Sequence, residues 1–157
     1  MPSIRVVALP SGIAEQVRAT MTAPGYGHPA YQEIAKGTGP CRHCLGWTKI
    51  GEEERILFTY DPFQEVGTRA LPGPIFVHKA ECERHDEDAG FPENLRELKL
   101  TLIAFGADRQ VCAEEQVWDG QVEASAERLF ARSEVKYLHV RFTEPGCYGL
   151  RIERGAE

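Results

Sequence analysis

The run Leu98 to Phe105 constrains this chain more than any other. Leu98, Leu100, Leu102 and Ala104 make one face of an extended segment. Lys99, Thr101, Ile103 and Phe105 make the other. A strand apolar on both faces needs cover on both, so it belongs in the interior of a sheet. Other short runs alternate in the same way. Ile56, Phe58 and Tyr60 share one side of Arg55–Tyr60, and Pro74 to His78 is rich in β-branched and aromatic residues. Ile4 to Leu9 and Val111 to Val117 are further strands. Lys136 to Phe142 and Cys147 to Glu153 flank Thr143-Glu144-Pro145-Gly146, which predicts a hairpin.

Helical periodicity occurs twice. Ile13, Val17 and Met21 recur every four residues, with Ser11 or Gly12 placed to cap the start. Val122, Ala126, Leu129 and Phe130 form one stripe over Gln121–Ala131, behind Asp119 as a cap, and Arg128 and Arg132 suit the C-terminal dipole. Tyr31 to Lys36 fits either a helical turn or a strand. Pro and Gly punctuate residues 23–30, 37–40 and 71–74. The expected architecture is α+β: one domain over residues 1–157, mostly antiparallel sheet, with two principal helices and a C-terminal β-hairpin. The Leu98–Phe105 strand is expected inside the sheet, with the Gln121–Ala131 helix over one face.

Composition narrows the function classes. The chain has 157 residues, 42% hydrophobic and 27% charged, which fits a globular domain and not a rod or a disordered polymer. A net charge of -6 is opposite in sign to that of a phosphate-tracking nucleic-acid binder. No apolar run is long enough to cross a membrane as a helix. Five cysteines, an odd number, in a chain that needs no staples suggest reduced thiols and a cytoplasmic location. A homo-oligomer is compatible with these data but not readable from them.

Several runs together resemble a known family. Gly39-Pro40-Cys41-Arg42, Gly51-Glu52, Gly73-Pro74-Ile75-Phe76-Val77-His78, Cys82, Tyr137-Leu138-His139-Val140 and Gly146-Cys147-Tyr148 are similar to the bacterial family called domain of unknown function 1203. The resemblance covers roughly residues 37–154. It implies a bacterial protein and names no reaction, and it leaves the role of the first 36 residues open.

Three readings of the site follow from the residues. In the leading one, Cys41, Arg42, His78 and His139 line a pocket for a small polar or anionic ligand, with Arg42 offering a bidentate fork. In the second, the C-x2-C pair Cys41/Cys44 and the C-x2-H pair Cys82/His85 hold zinc in an interaction module. Gly46 would help the backbone turn around that metal. In the third, Cys41 is the nucleophile of a thiol-dependent enzyme, its thiol acidified by Arg42. The residues leave open whether the protein is an enzyme. A pair three apart on a strand points to opposite faces, and Arg42-His43 contains no turn-forming Pro or Gly. On that ground the expectation is a metal-free protein without cofactor.

Overall fold

Alternation over Glu54–Tyr60 buries Ile56, Phe58 and Tyr60 on one side of a strand, as the pattern requires. The computed structural model of the chain describes residues 4–37, 39–62, 73–107, 110–143 and 147–155. Among these are two helices and eight strands in two antiparallel sheets, an α+β architecture. Internal contacts divide the chain into two compact units, residues 8–84 and residues 1–7 with 85–157.

The first unit holds α1 (Ser11–Thr20), β2 (Tyr31–Ile34), β3 (Glu54–Tyr60) and β4 (Gly73–His78). The ambiguous segment at Tyr31 is thus a strand. The sheet order is β2-β3-β4, with Ile56 opposite Val77 and Phe58 opposite Ile75. Helix α1 buries Ala14 and Val17 and stops where Met21 turns left-handed at φ 53°. Its start differs from expectation. Pro10 occupies the cap position with no side-chain cap bond, and Ser11 is the first helical residue. Strand β4 is an edge of its sheet, and that edge carries the site described below.

The second unit holds β1 (Ile4–Val7), a 3-10 turn (Glu93–Glu97), β5 (Leu100–Phe105), β6 (Val111–Val117), α2 (Val122–Phe130), β7 (Tyr137–Phe142) and β8 (Tyr148–Arg154). Its sheet order is β1-β8-β7-β5-β6. Strand β5 lies between β7 and β6, and α2 packs against β5 and β6. Leu100 and Leu102 are fully buried, as the two-sided pattern predicts. Strands β7 and β8 pair as the C-terminal hairpin, although its tip, residues 144–146, lies outside the described residues, as do Thr38, Leu71 and Pro72 of the breaker runs. A register shift between Val140 and Arg141 pairs Arg141 with Tyr148. His139 and Tyr148 meet with ring centroids 5.0 Å apart.

Helix α2 begins at Val122, with Gln121 in the cap position; Asp119 binds the Gln121 N–H at 3.0 Å. Its first turn is tied down by Arg96, which donates to both carboxylate oxygens of Glu123 at 2.7 and 2.5 Å and to the Gly120 carbonyl at 2.7 Å. The Arg96 guanidinium holds the Glu123 carboxyl below its ordinary range. A depressed carboxylate stabilises the fold above its unfolded pKa and loses that contribution as pH falls through the folded value. Glu123→Gln is therefore expected to lower stability by about 1 kcal/mol at neutral pH, with the deficit vanishing in acid. Urea denaturation at pH 7 and pH 3 checks both the size and the sign.

Candidate metal centre

Cys41 and Cys44 do not sit on a strand. Residues 40–47 form a tight knuckle: Pro40 and Trp47 bridge across it, the Cys41 N–H donates to the Gly46 carbonyl at 2.9 Å, and the Leu45 N–H donates to the Cys41 carbonyl at 2.8 Å. Leu45 supplies the left-handed turn at φ 64°. The expectation that this pair needs a Pro or Gly between its cysteines fails here. The special backbone angle falls one residue after the second cysteine, at Leu45, where it costs an L-residue about 1–2 kcal/mol that burial of the side chain offsets.

The knuckle leans on the outer edge of β4. The Arg42 N–H donates to the Phe76 carbonyl at 3.2 Å, and the His78 N–H donates to Cys41 Sγ at 3.3 Å. An edge strand carries unpaired backbone groups, and here the knuckle satisfies two of them. That docking brings Cys41 and Cys44 against His78 at the end of β4. Cys82, four residues further along the chain, joins them. The ligand atoms of Cys41, Cys44, His78 and Cys82 all lie within 4.8 Å of one another.

Two of the donor–donor distances match a tetrahedron. Zinc–sulfur and zinc–nitrogen bonds of about 2.3 and 2.05 Å place two sulfurs about 3.8 Å apart, and a sulfur and a nitrogen about 3.5 Å apart. Cys41 Sγ and Cys82 Sγ are 3.8 Å apart, and Cys44 Sγ and His78 Nδ1 are 3.4 Å apart. A disulfide would need about 2.05 Å, and the thiols are free.

The donors are joined by hydrogen bonds to one another. Hydrogen bonds from Cys44 and Cys82 push the Cys41 thiol far down, and the bond to Cys41 pushes Cys44 up. Bonds to the Cys41 and Cys82 sulfurs raise His78 to about 10. Outside the four, Cys82 Sγ receives the Arg18 guanidinium at 3.2 Å and contacts His43 Nδ1 at 3.1 Å. Burial, with Arg18 and Arg84 nearby, holds His43 below the ordinary histidine range.

The histidine brought to the three thiols is His78 and not His85. The His85 ring instead binds the Gly90 carbonyl at 2.8 Å. The spacing is thus C-x2-C followed by H-x3-C. Its one sequence signal beyond the cysteines was Gly46 after Cys44.

The pocket residues fare differently from one another. Cys41 and His78 come together. Arg42 is buried, donates to the Pro40 carbonyl at 2.7 Å and lies over the Phe76 ring at 4.8 Å. His139 belongs to the five-stranded sheet of the other unit, fully buried against Phe105, Tyr137 and Tyr148 with ring centroids 4.8, 5.2 and 5.0 Å away. Sequence reasoning gave Ser11 only a capping role and Arg18 none; both reach the vicinity of this centre through the packing of α1.

A sulfur-rich knuckle on a sheet edge, with a histidine at the strand end, gives this α+β protein a Cys3His group that could hold a metal ion. The chain belongs to the DUF1203 family of proteins of unknown function, whose model matches residues 38–154 and so spans all four donors. Comparison with curated proteins and with solved structures returns no match.

Proposed function

We propose that this protein is a zinc-stabilised module whose metal is held by Cys41, Cys44, His78 and Cys82. The observation that carries the reading is the pair of spacings, 3.8 Å between sulfurs and 3.4 Å between sulfur and nitrogen, in a group drawn from two separate segments of chain. Four protein donors fill a tetrahedron, which is the closed form of a structural site rather than the open form of a catalytic one. Three thiolates and one imidazole suit zinc over the harder divalent cations. Such a centre carries a net negative charge, which Arg18 at Cys82 offsets, as outer donors to metal-bound sulfur commonly do.

This reading also accounts for the burial of Cys41, at 0% exposed. A thiol nucleophile needs access, and a ligand pocket needs an opening. Cys41 and Arg42 have neither and are committed to contacts within the knuckle and with β4. Elemental analysis of protein purified without chelator is expected to find about one zinc per chain. Replacing it with cobalt is expected to give the intense visible bands of a tetrahedral, sulfur-rich site, and Cys44→Ser is expected to weaken both signals. Protein purified under reducing conditions with no bound metal, and unable to take up zinc or cobalt, would remove the reading.

A further inference from the structure

The three sulfur donors do not face solvent alike. Cys82 lines an open cleft of about 530 Å3 within residues 8–84, whose walls are one face of α1, with Ser11, Glu15 and Arg18, and the segment 79–84. Cys41 and Cys44 do not line that cleft, and Cys41 is fully buried. Cys41 Sγ is nevertheless only 3.8 Å from Cys82 Sγ. A cysteine that senses oxidants is a solvent-accessible thiolate with a second cysteine close enough to resolve it. Cys82 and Cys41 divide those two roles between an open position and a closed one.

From this arrangement we propose that Cys82 is a site of oxidative modification by hydrogen peroxide, and that the modification ends in a Cys41–Cys82 disulfide which releases the metal. The proposal deepens the zinc reading and rests on it for the released ion. The pairing of the two sulfurs rests on the cleft and the 3.8 Å contact alone.

The backbone permits the closure. The sulfurs stand 3.8 Å apart and a disulfide needs about 2.05 Å, so one of them must advance by about 1.8 Å. Cys41 is held in place, because its N–H and its carbonyl are both bonded within the knuckle. Residues 80–83 belong to no helix or strand, and among the described residues they make no backbone-to-backbone hydrogen bond. The sulfur that meets the oxidant is thus also the one whose backbone is not locked in a ladder. Arg18 donates to Cys82 Sγ at 3.2 Å, which places a cation where the leaving oxygen gathers negative charge.

In the first step the Cys82 sulfur, a thiolate in its role as a metal ligand, attacks one oxygen of the peroxide. A sulfur–oxygen bond forms, the oxygen–oxygen bond breaks, and the departing hydroxide takes a proton from solvent and leaves as water. The sulfur is oxidised by two electrons and the peroxide is reduced by two. In the second step the Cys41 sulfur attacks the Cys82 sulfur. The sulfur–sulfur bond forms, the sulfur–oxygen bond breaks, and a second hydroxide is protonated to water. Two thiolates, one peroxide and two protons become one disulfide and two waters. Cys44 and His78 remain, two donors where a closed zinc site uses four.

The test treats the full, zinc-loaded chain with hydrogen peroxide and follows free zinc with a chromogenic chelator. About one zinc is expected to leave per chain as two thiols are lost, and a thiol reductant with added zinc is expected to restore both. Peptide mapping without reduction is expected to find Cys41 joined to Cys82. Dimedone present during the oxidation is expected to mark Cys82 and not Cys41. The double variant Cys112→Ser, Cys147→Ser keeps all four donors and is expected to release zinc as the wild type does. Zinc that stays bound, with the Cys41 and Cys82 thiols intact after peroxide, overturns the proposal and leaves the metal reading standing. So does a Cys41–Cys44 disulfide, dimedone on Cys41, or release that disappears in the double variant. A Cys41–Cys82 disulfide on protein that takes up no zinc overturns the metal reading and keeps the modification site; protein that shows neither overturns both.

Discussion

Stripping the metal with a strong chelator is expected to lower the melting temperature by more than about 10 °C. The argument is one of scale. Structural zinc contributes about 10–16 kcal/mol in small zinc-folded peptides, comparable to the whole 5–15 kcal/mol stability of an ordinary domain. Even half of that, at 2–4 °C per kcal/mol for a chain of this size, reaches about 10 °C or more. The other anchors of the knuckle at residues 40–47 are one bridge, two short-range backbone bonds, its contacts with the edge of β4, the Leu9 N–H bond to the Arg42 carbonyl and the Ser11–His43 contact. Releasing the metal leaves three thiols and an imidazole crowded within 4.8 Å with only weak sulfur hydrogen bonds between them. Cys41→Ser and His78→Ala are expected to reproduce the loss without chelator. His85→Ala is expected to leave metal content unchanged and to lower the melting temperature by only a few degrees, the loss of one part-buried hydrogen bond to the Gly90 carbonyl. Equal melting curves with and without chelator, on protein shown to have lost its metal, would contradict the structural role.

The second large effect comes from His139. Burial, reinforced by Arg141 and Arg151, lowers this imidazole to about 3. The unfolded chain binds a proton there at about 6.5, while the folded chain does not until far lower pH. For a base held neutral in this way, stability is complete above the unfolded pKa and declines as pH falls toward the folded one, at about 1.4 kcal/mol per unit. Between pH 7 and pH 4 the wild type is expected to lose about 3 kcal/mol more than His139→Phe does. Comparing the two proteins cancels what acid does to the carboxylates and to the metal centre, which both share. Urea denaturation at pH 7, 5.5 and 4 gives the difference directly. Parallel pH dependences in the two proteins would mean that His139 is protonated inside the fold.

The alternation of apolar residues was sufficient for most of the strands. Leu100 and Leu102 on one face of β5, and Ile56, Phe58 and Tyr60 on one face of β3, follow from a side-chain period of two, which is a property of a single extended segment. The hairpin of β7 and β8 and the stripe of α2 follow for the same reason, each being decided within ten or so residues. Helix starts were less readable. Ser11 and Asp119 both had capping chemistry, yet a partner distant in sequence took the first, and the second sits two residues before the cap position of its helix.

The cysteines show where local reasoning ends. That Cys41, Cys44 and Cys82 are a possible ligand set is written in their identities and in the C-x2-C spacing. Which histidine completes the set is not. His85 stands nearer the sequence pattern of a ligand pair, but His78 ends the edge strand on which the knuckle docks. The turn that aims both Cys41 and Cys44 at one point depends on a left-handed Leu45, a conformation that sequence statistics disfavour and that burial of the side chain makes acceptable. By itself the sequence determined the strands, the helices, the acidic balance and the three sulfur donors, because each is set by residue type or by neighbours a few positions away. Only the tertiary structure decided the fourth donor, the two outer partners of Cys82 and the line from Cys82 through His43 to Ser11. Those contacts join residues 32 to 64 positions apart, and no periodicity in one dimension encodes which edge of a sheet a knuckle will close against.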